Sequence, residues 1–110
     1  MDQITFTDFA KIEIRMGEIV EAVVPEGSQK VIKLTVDFGD QGKRTIFAGI
    51  KQWYLPEELV GKKMPFIMNI PIKKMGDLGE SQGMALAICG TGKPIFLMAE
   101  EEVANGTPLK

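Results

Sequence analysis

The sequence predicts a single all-β domain, residues 1–110, folded as a small closed antiparallel barrel. Apolar and polar residues alternate in several short segments, which is typical of strands that bury one face. Stretches rich in glycine or proline separate these segments and predict turns. A chain of 110 residues buries an adequate core without disulfides or metals, and its one cysteine, Cys89, cannot form an internal disulfide.

The longest alternating segment runs from Ile12 to Val24 and forms the first predicted strand. Its apolar side chains are predicted to share one face: Ile12, Ile14, Met16, Val20, Ala22 and Val24. Glu18 interrupts the alternation next to Gly17, which predicts a bulge or a sharp bend at that point. A long strand that bends allows a small barrel to turn a corner.

The next two strands form a predicted hairpin. In Val31–Phe38 the even positions are apolar, whereas the odd positions from Lys33 onward are polar. Gly39–Gly42 is typical of a turn, and Lys43–Ala48 then returns as the third strand.

Two short helices and three further strands complete the predicted layout. Thr7 is expected to cap a helical turn that ends at Lys11, and the proline and acidic residues of Pro56–Leu59 suit a first helical turn. The further strands are predicted at Met64–Ile70, Gly83–Cys89 and Ile95–Met98. This order places a helix between the third and fourth strands, which is the layout of the five-stranded antiparallel OB-fold barrel. A generic β-barrel or β-sandwich is the alternative.

The net charge of −2 argues against nucleic-acid binding when it is taken alone. The charges are unevenly distributed, however. Residues 41–74 contain seven basic and two acidic side chains, whereas both flanking regions are acidic. This local basic region indicates either a contact surface for RNA or an ordinary surface of mixed charge.

Several absences limit the possible functions. The chain has no histidine and a single cysteine, which excludes the usual zinc sites and a Cys–His nucleophile pair, so no catalytic residue, metal or cofactor is predicted. No segment approaches the roughly 18 consecutive apolar residues that a membrane span requires. The N-terminus does not resemble a signal peptide, and we expect a cytoplasmic protein.

The main candidate binding residues follow the predicted fourth strand. Asn69 precedes the basic pair Lys73–Lys74, and a loop with two glycines then leads to Ser81–Gln82. Side chains of these types suit contacts to phosphate groups and base edges. A solvated loop is the alternative interpretation.

Further cations are predicted on the outside of the barrel. Arg15, Lys33 and Arg44 are expected to project from the polar faces of three consecutive strands, where OB barrels bind oligonucleotides, and Lys51 belongs to the same basic region. Ordinary outward-facing charge is the alternative. For Met84, packing against a sugar or base at the rim and burial in the core remain equally open.

Several stretches of the sequence closely resemble the tRNA-binding domain family. They are Asp8–Ala22, Val36–Gly39, Phe47–Ile50, Tyr54–Lys62, Asn69–Met84 and Asn105–Thr107. The family includes the C-terminal domain or separate β subunit of methionyl-tRNA synthetase, free-standing bacterial tRNA-binding proteins, and a branch of secretion-associated chaperones. The resemblance covers nearly the whole chain.

The resemblance implies an OB barrel with a C-terminal dimerisation extension and recognition of tRNA by shape, without catalysis. The family's binding pattern falls on Asn69, Lys74, Ser81, Gln82, Gly83 and Met84, although Ile72 and Lys73 stand where many relatives have proline and arginine. The resemblance extends through Asn105, Gly106 and Thr107, which are expected to contact a second subunit. The aromatic side chains of Trp53 and Tyr54 are expected either to anchor this homodimer or to pack a helix against the barrel, and base stacking is the less favoured alternative. The expected function is tRNA binding as a separate β subunit of methionyl-tRNA synthetase, or as an accessory that assists its catalytic subunit in trans. The alternative is a chaperone that binds extended polypeptide.

Overall fold

The computed structural model describes residues 1–90 and 92–110, so Thr91, in a predicted loop, lies outside the described residues. Its two α-helices are α1 (Phe6–Ala10) and α2 (Pro56–Leu59). Its strands are β1 (Ile14–Val23), β2 (Ile32–Asp37), β3 (Lys43–Ala48), β4 (Lys63–Ile67), β5 (Lys73–Lys74), β6 (Glu80–Ser81), β7 (Met84–Ala85), β8 (Ala87–Ile88), β9 (Ile95–Phe96) and β10 (Pro108–Leu109).

The main sheet is antiparallel and curls into a nearly closed barrel. Five strands follow the order β3-β2-β1-β4-β7, and β10 pairs with the beginning of β1. Two small hairpins, β5–β6 and β8–β9, extend from this sheet. The all-β prediction and the helix between the third and fourth strands are therefore confirmed.

The core fills the inside of the barrel. The largest fully buried side chains are Phe38, Phe66, Ile19, Ile32, Leu34, Ile46, Leu59, Met64 and Val36. The rings of Phe38 and Phe66 meet edge to face with their centroids 5.4 Å apart, a favourable geometry for an aromatic pair. Met64 and Met68 are buried in this core, as the alternation predicted, whereas Met16 is buried outside it, against the segment that contains Met98 and Val103.

The irregularity in β1 lies further along the strand than predicted. The register against β2 shifts between Ile19 and Glu21, which turns Val20 toward solvent and buries Ile19. The expectation that Val20 faces the core is therefore wrong: Val20 is the extra residue of the bulge, and beyond it Ala22 and Val24 pack against the core as predicted. Gly17 has a different role: a Cβ at this position would overlap the side chains of Val36 and Phe38.

Other element boundaries also differ from the predictions. Thr5, not Thr7, caps α1, since its Oγ1 accepts the N–H of Asp8 at 3.0 Å. The strand predicted at Gly83–Cys89 is two short strands with different partners: Met84–Ala85 pairs with β4, and Ala87–Ile88 pairs with β9. The strands predicted to reach Ile70 and Met98 end at Ile67 and Phe96.

The C-terminal segment packs on β1 of its own chain. Gly106 donates its N–H to the carbonyl of Met16 at 2.7 Å, and Met16 donates to the carbonyl of Thr107 at 2.8 Å. The Asn105 side chain donates to Glu18 at 3.1 Å. These three C-terminal residues were predicted to contact a second subunit, but their hydrogen bonds lie within one chain.

Gly106 provides a test of this close packing. Its φ is +91°, and a Cβ there would overlap the main-chain oxygen of Phe38, whereas Gly42 has a φ of +85° with open space around it. Alanine at either position costs about 1–2 kcal/mol of left-handed strain. We expect Gly106→Ala to lower the free energy of unfolding by a further ~1–3 kcal/mol through the overlap. Chemical denaturation measures both variants, and equal losses would contradict this packing.

Candidate nucleic-acid interface

The free edge of β3 is covered by the side chains of two residues at the end of the β5–β6 hairpin, Ser81 and Gln82. Phe47 donates its main-chain N–H to Ser81 Oγ at 3.0 Å, and Thr45 donates its N–H to Gln82 Oε1 at 2.8 Å. The main-chain N–H of Gln82 returns a hydrogen bond to the carbonyl of Thr45 at 2.8 Å. These bonds close the barrel on this side and anchor the hairpin.

Ser81 has a structural position. Its side chain is buried, and its hydroxyl donates to the carbonyl of Gly83 at 3.2 Å while accepting from Phe47. Because a hydroxyl has only one proton, Ser81 has none to donate to a phosphate or a 2′-hydroxyl. Its expected role as an RNA donor does not fit this geometry.

Arg44 also differs from the expectation of an outward-facing cation. It pairs with Val36 in the β2–β3 ladder, and directly paired residues share a face, so Arg44 lies on the face of a core residue. Its Nη1 donates to the carbonyls of Met68 at 2.6 Å and Gln82 at 3.0 Å. The guanidinium thus joins three segments at one end of the barrel.

Arg15 and Lys51 are engaged by their own chain. Arg15 contacts Glu13 Oε1 through Nε and the carbonyl of Gly106 through Nη1, each at 2.7 Å. The ammonium of Lys51 donates to the carbonyl of Ser28 at 2.7 Å. Both side chains therefore hold loops in place, although the exposed Lys51 ammonium keeps two further N–H groups for a ligand.

Asn69 links the N-terminal segment to the end of β4. Its Oδ1 accepts the N–H of Glu13 at 2.8 Å, and its Nδ2 donates to the carbonyl of Lys11 at 2.5 Å. The amide uses its oxygen and one of its two N–H groups in these bonds. Like Arg44, this predicted binding residue has a structural task.

Three predicted cations are available at the surface. Lys33, Lys73 and Lys74 are exposed, and none of them forms an ion pair in the described part of the chain. Lys33 lies on the outer face of β2, and the lysine pair lies on β5, opposite Ser81 and Glu80 of β6.

A polar recess of about 270 Å³ lies where the hairpin meets the outer face of β2 and β3. It is lined by Lys33, Thr45, Phe47, Leu78, Gly79, Glu80 and Gln82. Sequence reasoning missed Glu80 and Thr45 as part of this site. Glu80 stands two residues before Gln82, and a period of two would have placed both on one face had β6 been recognised as a strand.

Met84 lies outside the core. It is 45% exposed on β7, where it pairs with Ile67 of β4. The interpretation that it is buried is therefore wrong, and contact with a sugar or base at the rim stays a prediction, since Met84 does not line the recess.

The aromatic pair predicted as a dimer anchor is partly used within the chain. Tyr54 stacks on Phe96 with ring centroids 4.8 Å apart, and its hydroxyl donates to the carbonyl of Pro94 at 2.7 Å. Trp53 is partly buried. Tyr54 therefore holds the β8–β9 hairpin against the segment that follows β3.

An apolar groove of about 830 Å³ runs between α1 and β10. Its lining includes Phe6, which is 94% exposed, together with Phe9, Ile12 and Leu109. Exposed apolar side chains gathered in one place are typical of a contact surface.

The perturbed charges lie away from the recess. The hydrogen bond between the Lys63 ammonium and Glu102 Oε1, at 2.6 Å, raises the pKa of Lys63 and lowers the pKa of Glu102. Lys63 also donates to the carbonyl of Val103 at 3.1 Å. This pair attaches the C-terminal segment to the start of β4.

The described residues, 1–90 and 92–110, contain neither a candidate metal cluster nor a helix that could span a membrane. No group of three or more histidine, cysteine or acidic side chains is placed to hold a metal ion. No helix there is long and apolar enough to span a membrane.

Comparison with known proteins gives consistent matches. Residues 14–108 match the profile of the family described as "putative tRNA binding domain". The chain is 39% identical over 109 residues to the methionine–tRNA ligase of Caldanaerobacter subterraneus subsp. tengcongensis. This alignment covers 99% of the chain and 17% of the ligase. It therefore spans about a sixth of the length of such relatives.

Two solved structures share the fold along almost the whole chain. The MetRS related protein from Pyrococcus horikoshii superposes with a TM-score of 0.91 at 36% identity and covers 100% of both chains. The chaperone CsaA from Bacillus anthracis superposes with a TM-score of 0.86 at 28% identity and covers 99% of this chain and 100% of its own.

The two methionines Met84 and Met64 provide a matched test of the rim position. Met64→Ala should lower the free energy of unfolding by about 2–5 kcal/mol because it opens a cavity in the core. Met84→Ala should change it by less than about 0.5 kcal/mol, as for other surface substitutions. Thermal or chemical unfolding compares the two variants. A large loss of unfolding free energy for Met84→Ala would show that Met84 is packed in the core.

Proposed function

The chain belongs to the tRNA-binding domain family, and we propose that it is a non-catalytic module that binds tRNA around the recess between β2, β3 and the β5–β6 hairpin. The observation that carries this proposal is the group of exposed lysines, Lys33, Lys73 and Lys74, which have no ion-pair partner in the described chain. Ammonium groups that are free of internal partners suit phosphate contacts, which dominate the affinity of proteins for nucleic acids.

The position of these lysines supports binding by a preformed surface. The hairpin that carries Lys73 and Lys74 is anchored to β3 through Ser81 and Gln82. The bonds of Arg44 to two carbonyls hold the same region to the end of β4. An anchored surface loses less conformational entropy when it binds, so the main chain that carries these lysines need not be ordered by the ligand.

The recess favours recognition of the RNA backbone over base stacking. The one aromatic residue in its lining, Phe47, is 8% exposed and lies beneath Gly79. Stacking on exposed aromatic rings is how many proteins bind single strands, and this lining offers no such platform. We therefore infer that the module reads phosphates, sugars and the shape of tRNA, with Met84 as an apolar contact at the rim.

A methionyl-tRNA synthetase is the partner that the similarity supports best. The ligase from Caldanaerobacter subterraneus subsp. tengcongensis contains a segment 39% identical to this chain and is about six times longer. We infer that this module adds tRNA affinity to such a synthetase, as a separate β subunit or as an accessory in trans to the catalytic subunit.

We also propose that the module forms a homodimer through the groove between α1 and β10. Phe6, Phe9 and Leu109 are exposed there, and burial of apolar surface is the main driving force of most protein association. The C-terminal segment forms one side of the groove. It is held on β1 by hydrogen bonds of Asn105, Gly106 and Thr107, which would therefore support this contact.

The second candidate function is binding of extended polypeptide. The same apolar groove favours it, and so does the structural similarity to the chaperone CsaA from Bacillus anthracis. The two functions respond differently to salt. Binding to tRNA weakens steeply as counterions compete, whereas binding of an apolar peptide changes little.

The lysine pair gives the direct test of tRNA binding. Replacing Lys73 and Lys74 with alanine should weaken binding to total tRNA and reduce the slope of log affinity against log salt by roughly one to two units. Both side chains are exposed, so the fold should be unaffected. Lys62→Ala is the control. Lys62 lies just before the start of β4, whereas the hairpin follows the end of that strand, so this substitution should leave the slope almost unchanged. A folded double variant with unchanged affinity and slope would remove this hairpin from the interface.

The dimer is tested by sedimentation. At micromolar concentration the wild type should have about twice the 12.1 kDa mass of one chain. Phe6→Asp should give monomers, because a charge would enter the apolar contact, whereas Val60→Asp, at a site 50% exposed, should not. A monomeric wild type would end the dimer proposal, and dissociation by Val60→Asp alone would place the contact elsewhere.

A further inference from the structure

We propose that the recess is a ribose subsite in which Gln82 and Glu80 together read the 2′-hydroxyl of RNA. The inference rests on the proposed function and specifies what this part of the surface recognises. It depends on the orientation of one amide, the alternation along β6, and the hydrogen-bonding capacity of the 2′-hydroxyl.

The orientation of the Gln82 amide is determined by the main chain. The Thr45 N–H can only donate, so the atom that faces it at 2.8 Å must be the amide oxygen, Oε1. The amide nitrogen, Nε2, then carries both of its N–H groups on the other side, and it has no acceptor in the described part of the chain. Gln82 is exposed and lines the recess. It therefore presents a fixed donor to a ligand.

Glu80 supplies the complementary acceptor. It lies two residues before Gln82, and side chains two apart in an extended segment share a face. Both line the recess, and the carboxylate of Glu80 forms no ion pair in the described residues, although Lys74 is its partner across the hairpin. A carboxylate would repel a phosphate placed directly beside it. The recess therefore favours a ligand group that can donate as well as accept.

The 2′-hydroxyl is such a group, because it donates one hydrogen bond and accepts others. It can donate to the Glu80 carboxylate while accepting from Gln82 Nε2. Lys33, on the opposite wall of the recess, is then available for a neighbouring phosphate. DNA lacks the hydroxyl and would leave the amide and the carboxylate without partners.

The experiment compares one tRNA transcript made with ribose and the same transcript made with 2′-fluoro nucleotides. Fluorine keeps the A-form sugar but removes the hydroxyl proton, so shape and phosphate contacts stay similar. Wild-type protein should bind the ribose form about tenfold more tightly, as expected for loss of a hydrogen bond to a charged group. Gln82→Glu and Glu80→Gln should bring this ratio to within about twofold.

The ratio separates recognition from overall charge. Gln82→Glu keeps an acceptor for the Thr45 N–H, so the edge of β3 stays closed. Each substitution changes the net charge, but that change acts on both transcripts alike and cancels in the ratio. Glu57→Gln, at an exposed position of α2, is the matched carboxylate control and should keep the wild-type ratio.

Each outcome distinguishes this inference from the proposed function. If tRNA binds but the wild-type ratio is near one, or if the two variants keep the wild-type ratio, the ribose subsite is overturned and tRNA binding stands. If neither transcript binds to any measurable extent, the proposed function fails together with the inference.

Discussion

The structure depends on the pairing of the free edge of β3. Two main-chain N–H groups there, from Thr45 and Phe47, are satisfied by the side chains of Gln82 and Ser81. An unpaired buried amide costs about 1–3 kcal/mol, so this edge needs acceptors. Side chains supply them where a continuous strand does not. The same bonds close the barrel, anchor the lysine-bearing hairpin, and orient the amide that lines the recess.

This constraint divides the polar residues into two groups with different tasks. Ser81, Arg44 and Asn69 bond to main-chain groups and hold segments together, while Lys33 and Lys74 remain open to solvent. Gly83 belongs with the first group, since a Cβ there would come within 2.9 Å of the Ile67 carbonyl and 3.1 Å of Ile46. Within the Ser–Gln–Gly–Met stretch, Ser81 and Gly83 are thus structural residues that support the proposed binding surface.

The proposed surfaces differ in chemistry. The recess is polar, with one lysine and one glutamate in its lining, whereas the groove at α1 and β10 is largely apolar. A protein with both can bind RNA through one and a second copy through the other. A dimer of this kind carries two basic surfaces, and two linked sites on one ligand raise the apparent affinity beyond that of either alone. Such a gain would compensate for the acidic net charge of the chain.

The sequence by itself determined the all-β class, the strands from β1 to β4, the helix between β3 and β4, and the exposure of the lysine pair. These features follow from local alternation and turn chemistry, which act over a few residues. Only the tertiary structure decided which polar groups are free, because the partners are distant in sequence: Asn69 meets Glu13 across 56 residues, and Ser81 meets Phe47 across 34. The bulge at Val20 was also decided there. No local pattern reports which carbonyl or amide will need a hydrogen bond once the barrel closes.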